Sequence, residues 1–337
     1  MNILVTGGCG FIGSHFIKRL LRKYPDYNIV NVDKLTYAGN IKNIPPPQDY
    51  NNFTTYTFDI GDTYIRSILK DHEIEVVVNF AAETHVDRSI HNPVDFIQTD
   101  IVGLINLVQA ARKAKVRRFV QISTDEVYGS LPVGFEADTV ARLNPTSPYS
   151  ASKASADILL LSYFKTYNFP VLIVRPCNNY GPNQYPEKLI PMCITRLLEN
   201  KRMILHGDGD EVREYVYVED CCRAIDIIMH KGFDGNTFNV GSGVRRNNRE
   251  IMSAVLKEVV CNQARIGEEY VKKVPNRPGN DSRYALKCNS LWKSQFLRSN
   301  FKDRLHLTIE WYKKNYKDWW PYVDLDANIY KDEEYLR

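Results

Sequence analysis

Residues 2–13 of the chain read NILVTGGCGFIG, and this stretch decides the fold. It begins as a short apolar run, continues with four glycines, and leads into helical spacing of apolar residues from His15 to Tyr24. A strand, a glycine-rich turn and a helix in this order are the fingerprint of a dinucleotide-binding unit. The glycines permit a tight turn and close approach of the backbone to a pyrophosphate. The helix N-terminus then offers free N–H groups to the phosphates.

A second predicted strand, Asn28 to Val32, is followed by an acid that identifies the dinucleotide. This acid, Asp33, lies at the spacing from Gly13 that the fingerprint requires. A carboxylate here accepts hydrogen bonds from the adenosine ribose and repels a 2′-phosphate. The pattern therefore predicts NAD rather than NADP, although Lys34 beside the acid weakens that preference.

Alternating strands and helices continue through the first half of the chain. Strands are predicted at Phe53 to Phe58, Glu75 to Phe80, Arg118 to Ile122 and Phe169 to Val174, and helices at Tyr64 to Asp71, Ile101 to Lys113 and Tyr149 to Tyr167. Repeated units of this kind predict an α/β fold built on a Rossmann, doubly wound parallel sheet. The small residues Ala81 and Ala82 would let a flat cofactor lie against the backbone. His85 after them is interpreted as a structural histidine.

The alternation loosens after Arg175, which predicts a smaller C-terminal substrate lobe of mixed α/β structure. Helices are predicted up to Glu199, at Glu250 to Cys261 and at Asp303 to Tyr316, with Trp311, Trp319 and Trp320 packed in the lobe. Strands at Glu214 to Val218 and Thr237 to Val240 are expected to return to the main sheet. We therefore assign residues 1–174 and about 213–241 to an NAD-binding domain, and residues 175–212 and 242–330 to a nucleotide-sugar-binding lobe.

Two adjacent acids follow the predicted strand Arg118 to Ile122, in the segment STDEVYG at residues 123–129. Ligands of an open parallel sheet bind at the carboxyl ends of its strands. Since neighbouring strand side chains point to opposite faces, Asp125 and Glu126 can address one substrate only if the chain turns there. Two carboxyl groups in different surroundings can act as acid and base. A surface loop with solvated acids is the alternative.

A tyrosine and a lysine follow at helical spacing. Ser147 and Pro148 predict a helix start, which places Tyr149 and Lys153 on one face, four residues apart. A nearby ammonium lowers the pKa of a tyrosine toward a range useful for a base. In a chain with 21 tyrosines this spacing also arises by chance, and two exposed helix residues are the alternative.

Composition and charge limit the class of protein. The formal net charge of +4 is too small to indicate a nucleic-acid or anionic-membrane partner. The seven cysteines include no C-x-x-C pair, which predicts reduced thiols and no metal site. A strand starts at Ile3, leaving no room for a signal peptide, and no apolar run could span a bilayer. We therefore expect a cytoplasmic protein.

The chain resembles the extended short-chain dehydrogenase/reductases, and within them the nucleotide-sugar 4,6-dehydratases. The resemblance runs nearly from end to end and rests on residues 7–13, 33–40, 81–87, 123–129, 149–153, 178–182, 186–191 and 277–281. Its most specific element is Thr124-Asp125-Glu126 ahead of Tyr149, because epimerases and decarboxylases of this superfamily generally lack the Asp-Glu pair.

The resemblance implies loss of water across carbons 5 and 6 of a nucleotide-linked glucose. Oxidation at carbon 4 by NAD acidifies the carbon 5 proton, and hydride later returns to carbon 6 to give a 4-keto-6-deoxy sugar. By the same resemblance Tyr149 is the base at the 4-hydroxyl, Lys153 lowers its pKa and holds the nicotinamide ribose, and Thr124 bonds the 4-oxygen. Glu126 would remove the carbon 5 proton, and Asp125 would protonate the departing 6-hydroxyl.

Two binding sets are implied in the same way. NAD would be held by Gly7, Gly10, Phe11, Ile12, Gly13, Asp33, Lys34, Leu35, Thr36, Asp59, Ile60, Phe80, Ala81, Ala82, Thr84, Thr99, Ser123, Tyr149, Lys153 and Asn179. The nucleotide sugar would be held by Thr84, Thr124, Asn178, Lys188, Leu189, Leu205, His206, Arg213, Asn248, Arg277, Asn280 and Tyr284. Guanidinium groups bind phosphate oxygens bidentately, so Arg213 and Arg277 are expected at the diphosphate.

A homodimer is also expected, as is usual in the family. The helices Ile101 to Lys113 and Tyr149 to Tyr167 carry more apolar surface than one sheet face can cover, and a four-helix bundle with their symmetry mates would bury the excess.

The nucleotide is indicated by Asn280. Bacterial dTDP-glucose enzymes of the family usually carry histidine at this position, whereas plant enzymes acting on UDP-glucose carry asparagine. The plant enzymes also have a similar sequence at residues 24–27 and 206–209. Use of UDP-glucose at least as well as dTDP-glucose is therefore expected. The alternatives are that Asn280 only shapes its loop, that the chain is a related NAD-dependent epimerase, or that it is a catalytically silent NAD-binding scaffold.

Overall fold

A seven-stranded parallel sheet forms the centre of the molecule. A computed structural model describes residues 1–261, 263–288 and 299–320. In these residues the strands are β1 (Asn2–Thr6), β2 (Asn28–Asp33), β3 (Phe53–Thr57), β4 (Val76–Asn79), β5 (Arg118–Ile122), β6 (Val171–Pro176), β7 (Asn178–Tyr180), β8 (Met203–His206), β9 (Val212–Tyr217), β10 (Thr237–Val240), β11 (Arg245–Asn247) and β12 (Val271–Val274). The main sheet runs β10-β6-β5-β4-β1-β2-β3 with every pair parallel.

Helices cover both faces of this sheet. They are α1 (Phe11–Lys23), α2 (Ile65–Asp71), α3 (Val86–His91), α4 (Pro93–Ile97), α5 (Leu104–Lys113), α6 (Pro148–Tyr167), α7 (Leu189–Leu198), α8 (Val218–Lys231), α9 (Asn248–Val259) and α10 (Phe301–Trp319), with 3₁₀ turns at Ile41–Asn43, Pro47–Asp49 and Asp125–Tyr128. The apolar stripes of α1 and α8 pack on one face. Those of α2, α5 and α6 pack on the other. Two hydrophobic cores result, one on each side, as a doubly wound sheet requires.

The strand register brings several strand ends to one edge. Thr6 pairs with Asn79, so β1 and β4 end together. Ile122 pairs with Val174, so β5 ends one residue before Ser123 and beside β6. The glycine turn after β1 and the acidic segment after β5 therefore open on the same side of the sheet, where ligands of such folds bind.

The helix predicted from Ile101 to Lys113 is partly wrong. Regular α-helix begins at Leu104, and a π-helical turn, Gln98–Gly103, precedes it. Within this wider turn Asp100 accepts hydrogen bonds from the Glu83 amide at 3.1 Å and from the Ser152 hydroxyl at 2.7 Å. Apolar periodicity locates a helix but does not distinguish one extra residue in a turn.

A smaller lobe follows the main sheet and has its own core. Its helices α7, α9 and α10 pack with β8, β9 and β12 around buried residues that include Met252, Tyr312 and Trp319. Trp311 and Trp320 pack against this core, as predicted. The cap of α9 is a reciprocal pair in which Asn247 and Glu250 satisfy each other's backbone N–H groups.

One strand assignment in this region is wrong. The strand expected at Glu214 to Val218 runs from Val212 to Tyr217 and does not return to the main sheet. It pairs with β7 and β11 in a separate three-stranded sheet, whereas β10 does join β6 as predicted. An apolar-rich strand sequence specifies extended structure but not its partner strand.

The predicted fold, a doubly wound parallel sheet with a smaller C-terminal lobe, is confirmed. The domain limits stay a prediction, and residues 262, 289–298 and 321–330 of the predicted lobe lie outside the described residues. Within the described ranges, no helix combines the length and the apolar character that crossing a membrane requires.

Candidate active site

A cleft of about 420 Å³ lies at the carboxyl ends of the main strands, between the sheet and the lobe. It is lined by every residue expected to bind cofactor or substrate or to act in catalysis, except Leu35. The Leu35 side chain packs against the core instead, and its amide donates to Asp33 Oδ1 at 2.8 Å. One continuous cleft thus joins the glycine turn, the acidic segment and the lobe.

The glycine turn is tightly folded and lines the cleft with Gly7, Gly10 and Gly13. Gly7 adopts a φ of +68°, and a Cβ on Gly13 would lie 2.4 Å from the Gly7 carbonyl oxygen. The N-cap of α1 is Gly10, which has no side chain to accept from the first N–H groups, and the first turn holds no acid. These N–H groups and the positive end of the helix dipole suit an anionic ligand.

The ribose end of the cleft favours NAD. Asp33 is fixed because Oδ2 accepts the Cys9 amide and Oδ1 the Leu35 amide, each at 2.8 Å. Lys34, which weakened the expectation of NAD, places its Nζ 2.7 Å from Asp59 Oδ2. Because Asp59 already balances the Lys34 charge, little attraction remains for a 2′-phosphate. The residues present fit NAD.

The chain turns immediately after β5, as two cooperating acids require. Thr124 caps the 3₁₀ turn, its hydroxyl accepting the Glu126 amide at 3.2 Å. This turn takes Asp125 and Glu126 off the strand, and both side chains line the cleft.

The two carboxyl groups differ in their surroundings. Asp125 is 2% exposed, and its Oδ2 has no hydrogen-bond partner among the described residues. Burial raises the pKa of Asp125 well above its ordinary value, and the charges of Glu126 and Glu214 add to this. Burial also raises the pKa of Glu126, but Lys188 and Arg213 oppose the shift. Asp125 is therefore the acid whose protonated form is favoured more strongly. Because Asp125 is buried, the alternative of a surface loop with solvated acids is wrong.

Tyr149 and Lys153 start a capped helix. Ser147 and Ser150 form a capping box, and Pro148 occupies the first turn. Lys153 is 3% exposed and donates through Nζ to the Ile122 carbonyl at 2.9 Å. Neither residue is on the outer surface, so the alternative of two exposed helix residues is wrong.

The pKa of Tyr149 does not follow the expectation. Burial raises it well above the ordinary value, and the charges of Glu126 and Asp100 add to the effect. A hydrogen bond with Thr124 acts in the opposite direction. Burial and these two charges therefore outweigh the hydrogen bond that favours the phenolate.

A buried network behind the acidic segment was missed by sequence reasoning. Asp157 Oδ2 accepts from the Ser123 hydroxyl at 3.0 Å and from Arg175 Nε at 2.8 Å. Arg175 Nη1 also donates to the Tyr128 hydroxyl at 2.8 Å. Both ends of the segment are thereby tied to one buried ion pair. An arginine inside an otherwise apolar strand was the signal that could have revealed it.

Glu187, which lines the cleft beside Lys188, was also missed by sequence reasoning. Glu187 is buried and accepts from the Tyr37 hydroxyl at 3.1 Å. Lys188 Nζ donates to the Thr84 carbonyl at 2.6 Å and lies 3.6 Å from Glu187 Oε1.

His85 accepts the Arg88 amide at 3.4 Å, and burial lowers its pKa well below the ordinary value. His85 is thus neutral and caps α3, in agreement with its interpretation as structural.

The lobe supplies the far wall. The Arg213 guanidinium lies 4.3 Å from the centre of the Tyr284 ring and donates to Asn280 Oδ1 at 3.2 Å. Tyr284 donates to Asp281 Oδ2 at 2.6 Å. Arg277 Nε lies 2.9 Å from Asp87 Oδ1. Three cationic groups, those of Lys188, Arg213 and Arg277, therefore line the cleft and can accommodate a diphosphate.

All seven cysteines lie in the described residues, and all are free thiols. The described ranges hold no group of three or more His, Cys, Asp or Glu side chains arranged to bind a metal ion.

Comparison with known proteins places this cleft in context. The model of the GDP-mannose 4,6 dehydratase family matches residues 4–293. A trifunctional UDP-glucose 4,6-dehydratase/UDP-4-keto-6-deoxy-D-glucose 3,5-epimerase/UDP-4-keto-L-rhamnose-reductase of Arabidopsis thaliana is 40% identical over 324 residues, which cover 95% of this chain and 48% of the plant protein. The chain thus spans about half the length of that relative.

Other relatives match over their whole length. The dTDP-glucose 4,6-dehydratase of Streptomyces niveus is 40% identical over 327 residues, and 95% of each chain is covered. The structure of a dTDP-glucose 4,6-dehydratase from Streptomyces venezuelae, solved with NAD bound, is 40% identical with a TM-score of 0.89 and covers 95% of this chain and 99% of that one.

Proposed function

The chain belongs to the nucleotide-sugar 4,6-dehydratases of the extended short-chain dehydrogenase/reductase family, and from this membership we propose that it is an NAD-dependent 4,6-dehydratase of UDP-glucose. The product is the 4-keto-6-deoxy sugar nucleotide, and water is released. The observation that carries the proposal is the placement of Asp125, Glu126 and Tyr149 on one cleft, with the two acids in unequal surroundings.

Tyr149 takes the proton of the sugar 4-hydroxyl, and Thr124 holds the 4-oxygen. The Thr124 hydrogen bond favours the phenolate, and Lys153, one turn along the same helix face, adds a positive charge. NAD, when bound, accepts the hydride released from carbon 4 and supplies the one that carbon 6 receives.

Glu126 removes the carbon 5 proton once carbon 4 is a ketone. Asp125 gives its proton to the departing 6-hydroxyl, a role for which its raised pKa suits it. Lys188 and Arg213 favour the ionised form of Glu126. The unequal surroundings therefore supply one acid and one base from adjacent residues, which an epimerase, needing no elimination, does not require.

UDP-glucose is proposed on the basis of Asn280. The plant UDP-glucose relative and the bacterial dTDP-glucose relative are each 40% identical, so overall similarity does not separate the two substrates. Asn280 accepts a hydrogen bond from Arg213, which is proposed to hold the diphosphate. We propose that Asn280 contacts the ribose next to that diphosphate. An amide can bond a ribose hydroxyl that deoxyribose lacks.

We also propose that the enzyme is a homodimer. A homodimer is supported by exposed apolar side chains on α4, in the π-helical turn before α5 and on α6, where Ile97 is 51%, Val102 47% and Ile158 59% exposed. Pairing these helices with those of a second copy would bury them. The expected cytoplasmic location stays a prediction.

The proposal is tested by incubating the NAD-loaded protein with UDP-glucose or dTDP-glucose and following mass and absorbance. Loss of one water without net NADH is expected, with kcat/KM for UDP-glucose at least equal to that for dTDP-glucose. An epimerase would leave the mass unchanged, and a scaffold would leave the substrate untouched. A preference for dTDP-glucose of tenfold or more, about 1.4 kcal/mol, would contradict the assignment of the nucleotide.

A further inference from the structure

The carboxylate of Glu211 holds the side-chain amides of three asparagines at one end of the cleft. Its Oε1 accepts from Asn280 Nδ2 at 2.9 Å and from Asn276 Nδ2 at 3.2 Å. Its Oε2 accepts from Asn248 Nδ2 at 3.2 Å. Asn280 and Asn248 line the cleft, whereas Glu211 and Asn276 are not among the lining residues. No role was expected for Glu211 from the sequence.

This arrangement fixes which way the Asn280 amide points. Arg213 can only donate, so the Asn280 atom 3.2 Å from its Nη2 is the oxygen. An ionised carboxylate can only accept, so the atom facing Glu211 is the nitrogen. Rotation of the amide by 180° would bring donor against donor and acceptor against acceptor, and the network therefore excludes it.

The same contacts use up the donors of Asn280. One Nδ2 hydrogen goes to Glu211, and the other goes to Asn276 Oδ1 at 2.8 Å. The oxygen has one bond, from Arg213, and keeps a second lone pair. Towards a ligand, Asn280 is therefore an acceptor and not a donor.

An acceptor in this place selects for a ligand hydroxyl. Arg213, the proposed diphosphate partner, is one hydrogen bond away from Asn280. The diphosphate is flanked by the ribose and by the glucose, and under the proposed function the ribose is the group beside Asn280. The 3′-hydroxyl is common to both nucleotides, whereas the 2′-hydroxyl is present only in the ribonucleotide. A site built to bond a hydroxyl rejects a ligand that lacks it more strongly than a pocket rejects an extra methyl.

We infer that Glu211 is a specificity-determining positioning residue, which presents Asn280 Oδ1 to the ribose 2′-hydroxyl and thereby selects ribonucleotide-linked over deoxyribonucleotide-linked glucose. The inference rests on the proposed function. Glu211 acts through Asn280 and does not touch the substrate.

The test uses the NAD-loaded enzyme with UDP-glucose and 2′-deoxy-UDP-glucose, which differ only in the 2′-hydroxyl. Wild type is expected to prefer UDP-glucose by at least tenfold in kcat/KM. Glu211→Gln has one acceptor oxygen in place of two and cannot hold three amides. The preference should fall at least fivefold through a higher KM for UDP-glucose, with kcat and the values for the deoxy substrate changed less than twofold.

Two further variants serve as a control and as a second test of the network. Asp208→Asn removes a carboxylate of the same loop that pairs with the exposed side chain of Lys273, at 3.2 Å, and should leave the preference unchanged. Asn276→Ala removes one acceptor of Asn280 at an exposed position and should lower the preference in the same direction by a smaller factor. If Glu211→Gln does not fold, Asn276→Ala decides.

Binding of UDP and 2′-deoxy-UDP by calorimetry separates this inference from the proposed function. If wild type turns over no nucleotide-glucose, the proposed function fails, and the ratio of the two Kd values in wild type and Glu211→Gln still tests Glu211. Equal weakening of both ligands in the variant would show a merely structural role and overturn the inference. Absence of any 2′-hydroxyl preference in wild type would overturn it as well.

Discussion

Arg277 and Asp87 form an ion pair across the cleft, with Nε of Arg277 2.9 Å from Oδ1 of Asp87. Asp87 belongs to α3 beside the main sheet, and Arg277 belongs to the lobe. The Asp87 side chain is 7% exposed and that of Arg277 30%. Because the contact uses Nε, the two terminal nitrogens of the guanidinium stay available for a diphosphate. Asp87 thus orients Arg277, which is proposed to bind the substrate, from the other side of the cleft.

We predict that Arg277→Gln raises KM for UDP-glucose at least tenfold and lowers Tm. The first effect follows from the lost phosphate contact, and the second from leaving Asp87 buried without its partner. Steady-state kinetics and thermal unfolding measure the two effects separately. Asp87→Asn combined with Arg277→Gln should restore Tm but not KM.

The matched control is Arg283→Gln in the same segment, where Arg283 donates to the carbonyl groups of Pro132 and Phe135. It should leave KM within twofold of wild type. A normal KM for Arg277→Gln would remove Arg277 from the substrate site.

A second prediction concerns the choice of dinucleotide. Asp59→Asn frees Lys34, whose ammonium can then attract a 2′-phosphate. The ratio of NADP Kd to NAD Kd should fall about tenfold, corresponding to about 1.4 kcal/mol. NAD should still bind better, because Asp33 is unchanged. Titration with each dinucleotide measures the ratio.

Asp62→Asn is the control for this change, since Asp62 Oδ1 accepts a local hydrogen bond from the Tyr64 amide, at 2.8 Å. An unchanged ratio in Asp59→Asn would show that Lys34 does not face the ribose 2′-position.

The main sheet was predictable because its signals are local. The run from Asn2 to Gly13 contains strand, turn and helix start in contiguous sequence, and Arg118 to Ile122 was located to the residue. The same holds for the helix start at Ser147 and Pro148, where the capping residues are themselves the signal. Most of the candidate site follows from these elements, since parallel strands end at a common edge.

The rest depends on contacts between distant residues. The pairing of Val212–Tyr217 with β7 and β11 is decided by packing of the lobe and not by the strand's own sequence. Asp157 and Arg175, like Glu211 and Asn280, form specific contacts only after folding. The pKa of Tyr149 was misjudged because spacing shows the ammonium four residues away but not the depth of burial.

Tyr149→Phe should stop the reaction before hydride transfer. Removal of a general base costs on the order of 10²–10⁴-fold in rate, and no later step can proceed without the ketone. Single-turnover absorbance of the NAD-loaded variant with UDP-glucose should show no transient NADH. Tyr163→Phe on the same helix, which removes a hydroxyl that accepts a 3.3 Å hydrogen bond from Gln109, should behave as wild type. Near-normal turnover of Tyr149→Phe would show that another group is the base.

The dimer proposal predicts that a charge on α6 separates the subunits. Ile158 is 59% exposed, and a symmetric interface would contain each substitution twice. Ile158→Lys should therefore give a monomeric mass by light scattering at micromolar concentration, where wild type gives a dimer. Phe233→Lys, at a 69% exposed residue after α8, should remain dimeric. A monomeric wild type would end the proposal.

The last prediction links the acid to both activity and stability. Because burial raises the pKa of Asp125 well above its ordinary value, its protonated form persists to higher pH than that of an exposed aspartate, and kcat should fall as pH rises through that pKa. Ionisation of Glu126 sets the opposite, acidic limb, since it must be deprotonated to act as the base.

The sign for stability follows from the same shift. The folded protein holds the Asp125 proton more tightly than the unfolded chain, so the stabilisation is complete below the unfolded pKa and is lost as pH rises through the folded one. The amide that Asp125→Asn introduces is neutral at every pH, so this loss is absent in the variant. The Tm of the variant minus that of wild type should therefore grow as pH rises above the ordinary pKa of an aspartate, while turnover drops on the order of 10²–10⁴-fold. Thermal unfolding of both proteins as a function of pH measures the difference. A difference independent of pH would show that Asp125 is ionised in the folded enzyme and is not the acid.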